Sequence, residues 1–178
     1  MIKKNILLLG CILLIAAFLR FYQLGSNPPS LTWDEVSWGY NAYTLGLDGK
    51  DEFGKLLPYT YLESFGDFKP PLYAYLSIIP VWIFGLNEFA TRFASAFFGT
   101  LTVLVVYFLA KAFFQTVPLK QKTQNFSEAI ALVSAGIVAI SHWHIMLSRG
   151  AFEANIATFL LATGVWLFIL AIQHNRWL

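Results

Sequence analysis

The sequence predicts an all-α membrane protein with about four transmembrane helices and a large outer loop that contains short interfacial helices. Three observations carry that expectation. Of 178 residues, 57% are hydrophobic and only 12% are charged, about half the charge of an ordinary soluble domain. The 17 Phe, 8 Tyr and 6 Trp supply far more apolar area than a disordered chain contains. The apolar residues also gather into four stretches, at 5–22, 93–114, 129–147 and 154–172, each close to the roughly 20 residues that cross a hydrocarbon layer about 30 Å thick. A net charge of +2 gives no concentrated basic face, so no nucleic-acid partner is expected. The single cysteine, Cys11, permits neither an internal disulfide nor a cysteine-based zinc site.

The first stretch follows Met1-Ile2-Lys3-Lys4 and has the opening of a secretory signal. Arg20-Phe21-Tyr22 stands where a small-x-small cleavage site belongs, so the stretch is read as an uncleaved helix. The lipoprotein-like box Leu8-Leu9-Gly10-Cys11 has too little apolar chain before it and too much after it. A fifth apolar run, 72–86, is short, follows Pro70-Pro71 and contains Pro80, so it would cross poorly as a straight helix. Its Tyr73, Tyr75 and Trp82 suit a helix lying in the outer interface. Charge decides the topology. With four spans and a cytoplasmic N-terminus, Lys3, Lys4, Lys111, Lys120, Lys122 and Arg176 face inward and nine of the ten acids face outward. Five spans would put the last four of those cations outside, against the positive-inside tendency. The chain is therefore read as a single membrane domain, 1–178, in the cytoplasmic membrane.

The outer loop, 23–92, is too long for a mere connector. Thr32 and Glu35 form a capping-box pattern that starts a short helix running to about Leu45. Asp34 falls in the first turn, where the helix dipole favours its charged form. Such a carboxylate can accept a proton from a hydroxyl or hold a divalent ion; a solvated helix start is the alternative. Lys69 precedes Pro70-Pro71, and proline suits the first helical position. An ammonium beside free backbone N–H groups can receive a phosphate, although taken alone the residue is better explained as a lysine snorkelling to lipid headgroups. Arg149 and Glu153 are four apart, the spacing of an intrahelical ion pair. They follow the third span and so share the outer face with Asp34, Lys69 and Arg92. His142 and His144 are two apart and do not share a helix face, which argues against chelation by that pair.

Trp33-Asp34-Glu35 after a first span, then Lys69-Pro70-Pro71-Leu72-Tyr73, then Phe84-Gly85-Leu86-Asn87-Glu88-Phe89-Ala90-Thr91-Arg92 leading into a span, resembles the membrane glycosyltransferases of family 39, the protein O-mannosyltransferases and their aminoarabinose-transferase relatives. The resemblance extends to Ser148-Arg149-Gly150-Ala151-Phe152-Glu153 and so covers nearly the whole chain. It implies the N-terminal portion of a longer enzyme of the C-type fold that uses polyprenyl-phosphate sugars. It further implies that Asp34 is the catalytic carboxylate with Glu35 beside it, that Lys69 contacts the lipid phosphate with Arg92 or Arg149 assisting, and that Glu153 belongs with them to the lipid-phosphate and substrate-binding set.

The expected reaction moves a sugar from a polyprenyl-phosphate donor to a hydroxyl on a protein, lipid or glycan, with Asp34 acting as base directly or through a bound divalent ion. A different class of reading is a non-catalytic membrane module that binds polyprenyl phosphate or a partner membrane protein, for which Lys69 and the helices suffice. A transporter is disfavoured because the second and third spans have no charge in mid-span.

Overall fold

The computed structural model describes residues 2–116 and 124–173. Lys120, Lys122 and Arg176, which entered the charge argument, lie outside the described residues. In chain order the elements are α1 (Ile2–Phe21), α2 (Trp33–Asp48), β1 (Leu62–Ser64), β2 (Asp67–Lys69), α3 (Leu72–Phe84), α4 (Glu88–Thr116), α5 (Gln124–Ile140), α6 (His142–Arg149) and α7 (Glu153–Gln173). Three helical stretches are long and apolar enough to cross a membrane, Lys3–Phe21, Glu88–Gln115 and Glu153–Gln173, and the bent pair α5–α6 qualifies as a fourth, broken one. The chain is a multi-pass, all-α membrane protein.

Helix α4 is the hub. Its 29 residues reach about 43 Å at 1.5 Å per residue, more than the hydrocarbon layer requires, and α1, α2, α3, α5, α6 and α7 all pack against it. In lipid there is no hydrophobic drive between helices, so small residues that allow close approach decide the contacts. Ala131, Ala135 and Ala139 recur every four residues on α5 and are buried against Ala16 of α1 and Val103 and Tyr107 of α4. Gly99 of α4 does the same where α6 and α7 meet the hub: a Cβ there would lie 2.7 Å from Ser148 Cβ and 2.9 Å from Asn155 Nδ2.

The single helix expected over 129–147 is two helices, with a bend of 55° at Ser141. A cation from another helix meets the break. Arg20 Nη1 donates to Ala139 O at 3.1 Å and Nη2 to Val138 O at 3.1 Å, satisfying carbonyls that a continuing helix would have bonded to its own next turn. The second long helix starts at Glu88 rather than 93, so Arg92 lies one turn inside it.

Between α1 and α4 the loop folds on α4. Helix α2 ends at Gly49, whose φ of 75° is left-handed and whose N–H donates to Leu45 O at 3.1 Å, a stop that suits glycine. Asp51 then ties the following turn by accepting from Phe53 N at 3.1 Å and Lys55 N at 2.8 Å. Strands β1 and β2 form an antiparallel hairpin, Ser64 opposite Asp67 and Leu62 opposite Lys69. Its two turn residues, Phe65 and Gly66, both have positive φ, the backbone of a type I′ turn. Helix α3 packs on α2 and α4 and leaves Ile79, Trp82 and Ile83 exposed.

Candidate functional site

The first turn of α2 sends neighbouring carboxylates in different directions. Thr32 Oγ1 accepts from Glu35 N at 3.3 Å, and Glu35 Oε2 accepts from Thr32 N at 2.9 Å, so the capping box forms. Successive helical residues are about 100° apart around the axis, which turns Glu35 toward α4 and leaves Asp34 toward the hairpin.

Glu35 meets Arg92 in the interior. Arg92 Nε donates to Oε1 at 2.7 Å and Nη2 to Oε2 at 3.2 Å. The remaining guanidinium N–H groups donate to Leu24 O at 3.1 Å, Pro28 O at 2.8 Å and Ser30 O at 2.8 Å. A guanidinium has five N–H donors, and all five are engaged. Glu35 accepts a further bond from Ala151 N at 3.0 Å, in the turn between α6 and α7. Burial alone would raise the Glu35 pKa, but the hydrogen bonds from Arg92, Thr32 and Ala151, with the Arg92 charge, hold it below the ordinary glutamate value. The sequence-based expectations that Glu35 joins Asp34 in catalysis and that Arg92 meets a lipid phosphate do not fit this geometry. Both groups are enclosed, and their bonding capacity is spent on the chain itself.

Asp34 pairs with Lys69 from the end of β2. The Lys69 side chain is 6% exposed, that of Asp34 42%. The ammonium lies 5.5 Å from the ring centroid of buried Trp38, within cation–π range. The Tyr73 ring packs tilted against Trp38, centroids 5.3 Å apart, and its hydroxyl donates to Thr91 O at 2.9 Å, fixing the aromatic floor to α4. A rigid base therefore holds the cation, and the carboxylate above it opens outward.

Arg149 and Glu153 do not pair. Gly150 ends α6 and Glu153 begins α7, so the two residues belong to different helices. Arg149 instead caps α1, donating to Leu19 O at 3.0 Å and to Asn27 O at 2.7 Å. Arg20 does the corresponding work for α5 and also donates to His144 Nδ1 at 2.9 Å. Because arginine can only donate, Nδ1 is the acceptor and His144 carries its proton on Nε2. Glu153 faces a cavity of about 120 Å³ whose other walls are Pro70, Leu72, Tyr73, Ile156, Ala157 and Leu160. The groove begins next to Lys69 in sequence and runs along α7.

Residues 10–177 match the family model described as Dolichyl-phosphate-mannose-protein mannosyltransferase. The chain belongs to this family. Members are membrane glycosyltransferases, which agrees with the class implied by the sequence motifs. No match to the chain was found among curated proteins or solved structures.

For this mannosyltransferase-family chain, the residues present do not suit the divalent ion considered from sequence. Asp34 is one carboxylate beside an ammonium, and among the described residues no three His, Cys, Asp or Glu side chains gather at one point. Sequence reasoning passed over Arg20, Trp38 and Tyr73 as parts of the frame. An arginine within an apolar span was the available signal for Arg20, because a charge there is costly unless used.

Proposed function

We propose that the chain carries the donor site of a glycosyltransferase that moves a hexose, mannose by the family's name, from a polyprenyl-phosphate carrier to a hydroxyl of a protein. The reaction occurs on the outer face of the cytoplasmic membrane, with the N-terminus inside. The single observation that supports this most is the half-exposed Asp34 carboxylate beside the anchored Lys69 ammonium, next in sequence to a largely apolar groove.

Asp34 takes the proton of the acceptor hydroxyl as its oxygen attacks the anomeric carbon. The bond from that carbon to the phosphate oxygen breaks, its electron pair stays on the departing lipid phosphate, and Lys69 stabilises the charge. One displacement inverts the configuration. The groove between α3 and α7 receives the first units of the lipid. Glu35 and Arg92 position Asp34 and do not touch substrate, and Arg149 fixes the end of α1 beneath them.

The experiment is transfer of radiolabelled mannose from its polyprenyl phosphate by membranes containing the natural full-length protein. General-base loss costs roughly 10²- to 10⁴-fold, so Asp34→Asn should lose at least about a hundredfold in turnover. Turnover equal to wild type removes Asp34 as the base. Lipid binding with no transfer by wild type, from any donor, favours the non-catalytic module.

A further inference from the structure

Trp38 is an unexpected residue for the floor beneath Lys69. Its side chain is fully buried, and among the described residues no acceptor meets its indole N–H. A buried donor left without a partner destabilises the fold, and Phe or Leu at that position would bring no such donor. Packing alone therefore does not explain an indole here.

The Lys69 ammonium does. It lies 5.5 Å from the centroid of the Trp38 ring. Indole has the best ring face for a cation, and the attraction strengthens where water is excluded; the Lys69 side chain is only 6% exposed. Tyr73, packed on the indole and tied through its hydroxyl to Thr91 O, keeps that face in place. The other partner of Lys69 is Asp34, and in the proposed reaction it is neutralised as it takes the acceptor's proton, just when charge builds on the departing phosphate. A lysine stem is flexible, so an ammonium with no second partner is then free to swing out to lipid headgroups. A carboxylate in the floor would hold it but would cancel the charge that the phosphate requires. A ring face attracts the ammonium, takes no proton from it and leaves its charge available.

We propose that Trp38 is a positioning residue that keeps Lys69 aimed at the leaving phosphate while Asp34 is being neutralised. This rests on the donor reading above and adds to it a group that touches no substrate.

The test is mannose transfer by membranes containing the natural full-length protein, with mono-, di- and trifluorotryptophan inserted at position 38 by nonsense suppression. Fluorine withdraws electron density from the ring face and scarcely changes the volume of the side chain, which guards the test against a cavity variant that fails to fold. Turnover should fall stepwise with each fluorine, to about 2- to 30-fold below wild type, the range of a cation–π contact. The donor concentration at half-saturation should stay nearly constant, as expected for an interaction that counts in the transition state. Trp38→Phe, which keeps a ring, should retain more turnover than Trp38→Leu. Turnover that is flat across the fluorinated series, or a weaker apparent donor affinity with turnover unchanged, overturns the proposal and leaves the donor site standing. Wild type that transfers no mannose overturns the donor reading itself.

Discussion

Asp34 and Glu35 are adjacent in sequence, identical in charge and opposite in circumstance. Glu35 is enclosed, with a bidentate arginine and two backbone N–H groups bonded to it. Asp34 has one cation beneath it and open space above. A hundred degrees of helical rotation separates them, and that rotation divides the labour: one carboxylate joins the loop to the helices, the other is left with lone pairs to use. Chemistry needs the second kind of group, held by the first.

Breaking the buried pair should have the largest effect on stability. Removing one partner of a buried ion pair costs about 3–5 kcal/mol, and Arg92→Ala should lower the thermal midpoint of the detergent-solubilised protein accordingly, taking any transfer activity with it. Arg92→Lys should rescue little, because a lysine cannot supply a five-donor fork. Next comes Gly99→Ala, which pushes a methyl into Ser148 and Asn155. Overpacking of this sort costs about 1–3 kcal/mol, seen in the same melting experiment.

Acid sharpens the contrast further. The Glu35 carboxyl is held below its ordinary value of 4.5 in the folded state. It therefore contributes stability that is fully present above the unfolded value and is lost as pH falls through the lower folded one. A pH series of melting midpoints should show no loss from this group between pH 7 and 5 and a loss below about 4.5; Glu35→Gln should flatten that acid decline from a lower starting point. The smallest stability effect belongs to Asp34→Asn. Its amide still accepts from Lys69, and because the Asp34 side chain is 42% exposed although that of Lys69 is buried, the cost should stay below that of the fully enclosed pair, at about 1–2 kcal/mol. A large drop in the Asp34→Asn midpoint would make Asp34 part of the frame, and the division described above would fail.

Much of this frame could be read from local pattern. The Thr32/Glu35 box was visible because capping is a relation between residues three apart, and the long helices were visible because bilayer thickness sets their length. What stayed hidden depends on partners far along the chain. Glu35 was read as either a cap or a catalytic group, and it is a cap that also binds Arg92, 57 residues away. Arg149 and Glu153 have the spacing of an ion pair, but Gly150 ends the helix between them. The bend at Ser141 has no strong local signal, and the cation that meets its open carbonyls is Arg20, over a hundred residues earlier.

Arg20 and Arg149 exchange services: the first finishes α5, the second finishes α1. Each waits for a helix made at another time. A ribosome that has released α1 into the bilayer still has more than a hundred residues to synthesise before α5 and α6 arrive, and until then the Arg20 guanidinium has only Ala16 O of its own helix and Leu19 O lacks its Arg149 donor. Premature termination anywhere in between should leave a nascent product that is recognised as unfinished and degraded.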